Sequence, residues 1–394
     1  MAPIPLPFAD ATHRQRARLA RDGQKLQHPH RPRDSRNLVL VAAGRRRVVI
    51  QHPEVQFCIL KRRIARPTVR RKSQTGRSVT GKLRPGSDPG YHPSWGDTVG
   101  GTDTVIVGEG QYRYEVVVGW EQLPSGWVHG DVAGLATDSQ NRVYVFNRSE
   151  HPVIVYDEDG RFLTTWGDTT LYPRPHGITI VDDVIYLVDD ADHTVRKCTL
   201  DGEILMTLGT PGVPSDSGYV ANRPNNLSTI THGTGPFNRP TRLSVAQNGE
   251  LYVSDGYGNA RVHRFSADGQ LLQSWGEPGT GPGQFNRPGG VAVAPDGHRV
   301  YVADQYHDRI QFFDQGGTYL GQWGNTGSSE GQFAFPSQVA VAPDGTVLVA
   351  DNDNHRIQVF DAAGRFIRMW GSEGAGKGQF SVPGGIAVAP DGTI

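Results

Sequence analysis

Residues 288–313 read PGGVAVAPDGHRVYVADQYHDRIQFF, and residues 336–360 read PSQVAVAPDGTVLVADNDNHRIQVF. Each is an apolar run, an Asp-Gly turn, a second apolar run ending in Asp, and then a strand opening with Arg-Ile-Gln. Asp-Gly between two short apolar runs is the strongest local hairpin signal, because the turn needs a residue that accepts positive φ. Working outward, four more units align with these two. They are VAGLATDSQNRVYVFN from Val132, PHGITIVDDVIYLVDD from Pro175, PTRLSVAQNGELYVSD from Pro240 and PGGIAVAPDGTI from Pro383.

Most units close on an aromatic–glycine pair: Trp166-Gly167, Trp275-Gly276, Trp323-Gly324 and Trp370-Gly371, with Leu208-Gly209 as the variant. The last three lie 48 and 47 residues apart, a period that suits a four-stranded propeller blade. Six unit starts imply an all-β, six-bladed β-propeller over residues 103–394, with a final blade that stops at Ile394 before its strands are complete. Residues 112–120 (YRYEVVVGW) are then expected to supply an outer strand to that last blade, closing the ring and hiding its edge. The longer gap between Leu208 and Trp275 marks an insertion at about 210–237, rich in Gly, Pro, Ser and Asn, and long surface loops of this kind are often functional.

Fifty Gly, 27 Pro and 3 Met argue against a helical protein. The zero net charge is an average of two unlike parts. Residues 1–90 hold 21 Lys/Arg and 5 Asp/Glu, or +16, which leaves 19 and 35, or −16, for the rest. Residues 1–102 show no sustained period and are expected to be a basic, disordered extension. The acidic remainder argues against nucleic acid as a partner of the propeller, since phosphate neutralisation needs clustered Lys and Arg. No apolar run reaches the ~18 residues of a membrane helix, and Leu38–Ala43 is too short for a signal-peptide core. The compartment is therefore left open. Cys58 and Cys198 lack metal-site spacing and read as free thiols.

A side chain found in every unit serves the blade; one found once is a better candidate for a site. By that logic Asp189, Asp255, Asp304 and Asp351, at second-strand ends, are structural turn caps. Arg196, Arg261, Arg309 and Arg356, which open third strands, are structural partners, and the Trp of each closing pair is core. The position after the recurrent Pro differs: it holds Ala133, His176, Thr241, Gly289, Ser337 and Gly384. The positions after the strand-ending Asx also vary, with Arg148 in the first unit, Tyr257 in the third and Gln305 in the fourth. In an antiparallel hairpin both positions lie at the same end. His176, Arg148 and Tyr257 are therefore expected around one mouth of the central channel.

The stretch Val349–Phe360 (VADNDNHRIQVF) resembles the NHL-repeat family of β-propellers, and the resemblance covers about residues 103–394. A second resemblance is carried by FNRSEHPVIVYD, PHGI, and VSDGYGNARVHRFSADG followed by SWGEPGTGPGQFNRP, dense over about residues 110–290. These stretches look like the peptidyl-α-hydroxyglycine α-amidating lyase family, whose members cleave a C-terminal α-hydroxyglycine to a peptide amide and glyoxylate. The resemblance implies a zinc ion held by three histidines, with a tyrosine and arginines beside it. It places the first metal histidine on His176, the catalytic tyrosine on Tyr257, and a catalytic and substrate-binding arginine on Arg148. Zinc would polarise the substrate hydroxyl, tyrosine would take its proton, and arginine would hold the carboxylate.

The departures are specific. The other two metal positions hold Gly289 and Gly384, the second family arginine is Gln305, and the family cysteine after the tyrosine is Gly258. Replacement ligands would have to come from His307 or His355. Two functions follow as expectations. One is a lyase-like enzyme with weakened or lost activity, taking a small molecule or peptide C-terminus in the channel. The other is a non-catalytic NHL propeller that binds a protein or ligand on its rim.

Overall fold

The structure, a computed structural model, describes residues 120–221, 226–374, 378–388 and 394, together with the backbone strands 38–43, 47–52, 55–62, 105–107 and 114–118. It is an all-β propeller in which five four-stranded antiparallel blades are described, and the helical segments among the described residues are short 3-10 turns. Blade one comprises Val132–Thr137, Val143–Asn147, Val153–Tyr156 and Phe162–Trp166. Blade two follows with Pro175–Val181, Val184–Asp189, Thr194–Cys198 and Ile204–Leu208, and blade three with Arg242–Val245, Leu251–Asp255, Arg261–Phe265 and Leu271–Trp275. Blade four is Pro288–Val293, Val300–Asp304, Arg309–Phe313 and Tyr319–Trp323. Blade five is Pro336–Val341, Val347–Asp351, Arg356–Phe360 and Phe366–Trp370. Innermost strands of successive blades touch, from Val132–Thr137 round to Pro383–Gly385.

Pro383–Gly385 lies in a further sheet with Leu38–Ala43, Arg47–His52, Val55–Arg62, Tyr114–Val118 and Val105–Val107. The strand expected in 112–120 thus shares a sheet with the start of the sixth unit. The expectation of disorder over 1–102 falls mostly outside the described residues, within which three backbone strands are described. Cys198 is a buried free thiol, and the side chain of Cys58 lies outside the described residues. Among the described residues no helix is long and apolar enough to cross a membrane.

The core sits between blades. Second strands such as Val300–Asp304 and Val347–Asp351 are buried along their whole length, because each blade is covered on both faces by its neighbours. That explains why they read as continuous apolar runs. Tyr186, Val188 and Leu208 of blade two pack on Leu243, Leu251 and Phe265 of blade three, and the same arrangement joins blades three to four and four to five. Each fully buried Val, Leu or Phe contributes ~1.5–3 kcal/mol to this stacking.

The Asp-x-x-Gly turns set the register between blades. The Gly317 φ is +82°, and a Cβ there would lie 2.6 Å from the Trp275 ring of the preceding blade; Gly364 meets Trp323 in the same way. The closing Trp therefore covers the next blade's turn. It is buried only at Trp275 and half-buried at Trp166, Trp323 and Trp370, so it belongs to the rim of the interface and not to its centre.

The recurrent Asp and Arg are structural in a more extended way than turn capping. Asp304 accepts the Asn286 N–H and Asp351 the Ala334 N–H, pinning the loop that enters their own blade. Only Asp189 caps the following turn, through the N–H groups of Ala191 and Asp192.

Candidate functional site

The site is built where inner strands begin and second strands end. His176 is the second residue of blade two's inner strand, and its Nδ1 lies 2.7 Å from the Thr241 carbonyl of blade three. A carbonyl only accepts, so Nδ1 carries the proton and Nε2 is left as an acceptor. Nε2 receives the Tyr257 hydroxyl at 2.8 Å, with the two rings edge to face at 4.8 Å. Two residues 81 positions apart in the chain thus meet directly. Arg148 stands beside them without touching either: its Nε donates to the Pro175 carbonyl at 3.1 Å and its Nη1 reaches Asp131 at 3.4 Å. A cavity of about 330 Å³ opens next to it, lined by Arg148, Glu150, Thr169 and Tyr172 among others.

Four arginines escaped the sequence reasoning. Arg242 donates to the carbonyls of His176 and Ala133. Arg174 and Arg239 both reach the buried Asp190, at 2.7 and 3.5 Å. Arg287 stacks on Tyr257, its guanidinium carbon 4.3 Å from the ring centroid. A signal for all four was present: Arg242 stands where units one, two, four and six carry Gly, and the other three share one position. The residue before the recurrent Pro is Arg174, Arg239 and Arg287 in units two to four but Phe335 and Val382 in units five and six. Subtracting the repeat at that position, two residues before His176 in unit two, finds them.

These charges set the protonation of the pair. Burial holds His176 well below its ordinary pKa, and Arg242 and Arg148 push it further, so the imidazole is neutral. Burial alone would raise the Tyr257 phenol, but Arg287 and Arg242 outweigh it and hold the pKa below its usual value. Asp190 is pushed up by burial, and its arginine neighbours work against that. The phenol is thus held more acidic than an ordinary tyrosine.

The residues do not fit a zinc site of the usual kind, which takes three protein ligands in a catalytic centre. His176 is a lone ligand whose two nitrogens are both engaged. At Gly289 a Cβ would sit 2.5 Å from the Gln305 amide nitrogen, so the buried Gln305 side chain fills the space a ligand would need. His307 bonds Asp304 at 2.9 Å, and His355 accepts the Val382 N–H at 3.2 Å, so each serves its own turn. Among the described residues no three His, Cys, Asp or Glu are placed to hold a metal ion.

The insertion reaches the site. Tyr219 accepts a hydrogen bond from Arg239 at 3.1 Å, and Ser217 donates to the carbonyl of Gly258, next to Tyr257. Gly258 has no room for a larger residue, since its Cβ would lie 2.2 Å from Asn238 Oδ1.

Known proteins place the chain more broadly. The NHL repeat profile matches residues 237–265, 285–313 and 333–360. Human NHL repeat-containing protein 3 is 35% identical over 182 residues, which is 43% of this chain and 48% of that protein. Peptidyl-alpha-hydroxyglycine alpha-amidating lyase 1 of Drosophila melanogaster is 33% identical over 123 residues, 30% of this chain and 19% of its own length. A probable lyase of the same name from Caenorhabditis elegans is 34% identical over 168 residues, 36% and 43% of the two chains. The chain thus spans less than half the length of these curated relatives. A solved streptogramin B lyase aligns with a TM-score of 0.46 and 11% identity, over 67% of this chain and 75% of that one. The chain is a β-propeller with five four-stranded blades described, and three of its units match the NHL repeat profile.

Proposed function

We propose that the protein is a lyase-like propeller that binds the carboxylate end of a peptidyl-α-hydroxyglycine, or a close analogue, at the His176–Tyr257 mouth. The ring in this reading has six blades, the N-terminal strands completing the last. The observation that carries it is the Tyr257–His176 hydrogen bond at 2.8 Å beneath the Arg287 guanidinium. Arg148 and its neighbours offer charge-assisted hydrogen bonds to a carboxylate. The cavity beside Arg148 has space for the peptide portion.

The chemistry asks little of a metal if the phenol is acidic enough. Tyr257, ionised, takes the proton of the α-hydroxyl; the oxygen forms the carbonyl of glyoxylate as the C–N bond breaks. The amide nitrogen then takes a proton to give the peptide amide. In the resting site neutral His176 accepts the hydrogen bond of the Tyr257 hydroxyl through Nε2 and orients the ring. That hydrogen bond is given up when the phenol loses its proton to solvent, and it re-forms once the proton taken from the α-hydroxyl has reached the phenol. Without metal assistance such a site turns over slowly.

The test is glyoxylate release from N-benzoyl-α-hydroxyglycine, measured with a chelator and with added zinc. Slow release unaffected by the chelator, and lost in Tyr257→Phe, is expected. Failure to detect either glyoxylate or saturable binding defeats the proposal. A second reading, a non-catalytic binding module, is favoured by one observation: Gln305 occupies the space above Gly289. Saturable binding without glyoxylate would establish it instead.

A further inference from the structure

The charge at this mouth is out of balance. Five guanidinium groups, Arg148, Arg174, Arg239, Arg242 and Arg287, gather around His176 and Tyr257. Against them stand the buried Asp190, shared by Arg174 and Arg239, and the exposed Asp131 beside Arg148. One carboxylate on a ligand would leave most of that excess unanswered.

Arg287 is the clearest case. Its guanidinium lies among three rings, 4.3 Å from the centroid of Tyr257, 5.2 Å from Phe335 and 5.4 Å from Tyr306. Nη1 donates to the Tyr306 hydroxyl at 3.1 Å, while Nε is buried without a hydrogen-bond partner. Among the described residues no carboxylate pairs with it. Ring faces attract a cation but do not neutralise it, and a half-buried charge without a counter-ion still loses hydration it does not recover. Nor does the fold require arginine here. Arg287 has φ +66°, and the equivalent Arg239, Phe335 and Val382 share that backbone at +63°, +58° and +61°. Phenylalanine and valine serve the turn equally well, so the arginine answers to something other than the turn.

The excess is also spread out. Arg148 belongs to blade one and leans on Pro175 of blade two; Arg287 enters blade four and leans on Phe335 at the entry to blade five. A single compact anion fits this arrangement poorly. We propose that the ligand of this mouth carries two separated carboxylates, one held near Arg148 and the second by Arg287, which makes Arg287 a specificity-determining residue. The first carboxylate rests on the function proposed above; the second does not follow from it.

Calorimetric titration of the full chain with succinate, glutarate and adipate, against butyrate and inorganic phosphate, tests this. One charge-assisted contact corresponds to about tenfold in affinity or more. At least one dicarboxylate is expected to bind about tenfold more tightly than butyrate. That advantage should vanish in Arg287→Gln and return in part in Arg287→Lys, with thermal melts showing both variants folded. The inference is overturned if no dicarboxylate outbinds butyrate, if the advantage survives Arg287→Gln, or if phosphate binds more tightly than every dicarboxylate. Butyrate binding that is lost in Arg148→Gln, with no dicarboxylate preference, would sink this inference and leave the single-carboxylate site standing. No binding of any of these acids would sink both.

Discussion

Two sets of arginines, built on the same repeat, are used in opposite ways. Arg309 and Arg356 open the third strands of blades four and five and are almost fully enclosed, 6% and 5% exposed. Arg356 Nε donates to the buried Asp351 at 2.7 Å, and its other nitrogens reach the carbonyls of Ser328, Ser329 and Gln332. Arg309 does the same with Asp304, Thr280, Gly281 and Gln284. Their donors are consumed by a carboxylate and loop carbonyls. The mouth arginines have donors to spare, ring faces for neighbours, and too few carboxylates. An arginine that spends its whole fork on the fold is scaffold; one held in place with donors unspent is available to a ligand.

The sharpest way to break this comparison is Arg356→Ala. It leaves Asp351 buried without its cation and strips donors from three loop carbonyls, which costs ~3–5 kcal/mol. Burial already pushes the Asp351 pKa up even with Arg356 in place. A large fall in denaturation midpoint is expected; a change as small as that of a mouth arginine would erase the distinction between the two sets.

Next in size is Tyr257→Phe, which belongs to the mouth alone. Removing a general base lowers rates by ~10²–10⁴-fold. Glyoxylate release should drop by at least the lower figure, while stability changes by only ~1 kcal/mol for the lost hydrogen bond. A variant that released glyoxylate at the parent rate would remove Tyr257 from the chemistry.

The fold was legible because its cause is repeated. Asp-Gly turns, the turn glycines under each Trp, and a period near 47 all report one blade, so a misreading of any single unit is corrected by the others. His176 and Tyr257 were legible because each departs from its repeat, and they do meet. Arg148 is near but makes its own contacts. Arg242 and Asp190 also depart from their repeat positions, but what they do depends on which neighbour each reaches across a blade boundary, and a repeat alignment does not contain that. The complete set of metal ligands implied by the resemblance to the lyases is not there, and Gln305 gives the physical reason at Gly289.

Arg287→Gln probes the other side of the comparison. With no carboxylate lost, and with ring contacts and hydrogen bonding to tyrosine hydroxyls removed, stability should change by no more than ~1 kcal/mol. The Tyr257 pKa, followed by ultraviolet difference absorbance, should rise, because Arg287 is the main group holding it down. An unchanged phenol titration would separate Arg287 from Tyr257 electrostatically.

The smallest effect concerns a latch between blades. His193 Nδ1 accepts the Arg239 N–H at 3.1 Å, Asp308 accepts the Phe335 N–H at 2.7 Å, and His355 accepts the Val382 N–H at 3.2 Å. Each latch residue has positive φ, +58°, +49° and +54°, and each ties its blade to the entry of the next. The histidine version works only while its nitrogen is unprotonated. Burial holds the His193 pKa below the ~6.5 of an unfolded chain. The unfolded state therefore binds the proton first, so the latch contributes fully above about pH 6.5 and is lost as pH falls through the folded value. Asparagine tolerates the same backbone and offers a carbonyl that never titrates. His193→Asn should therefore be close to neutral at pH 7.5 and should shallow the loss of stability on acidification. The loss should not vanish, since His176 and His129, the latter pushed down to about 3 by burial, titrate in the same direction. An unchanged slope would mean that the latch residue serves the turn and not the joint, and that the mouth arginine above it is positioned by the blade alone.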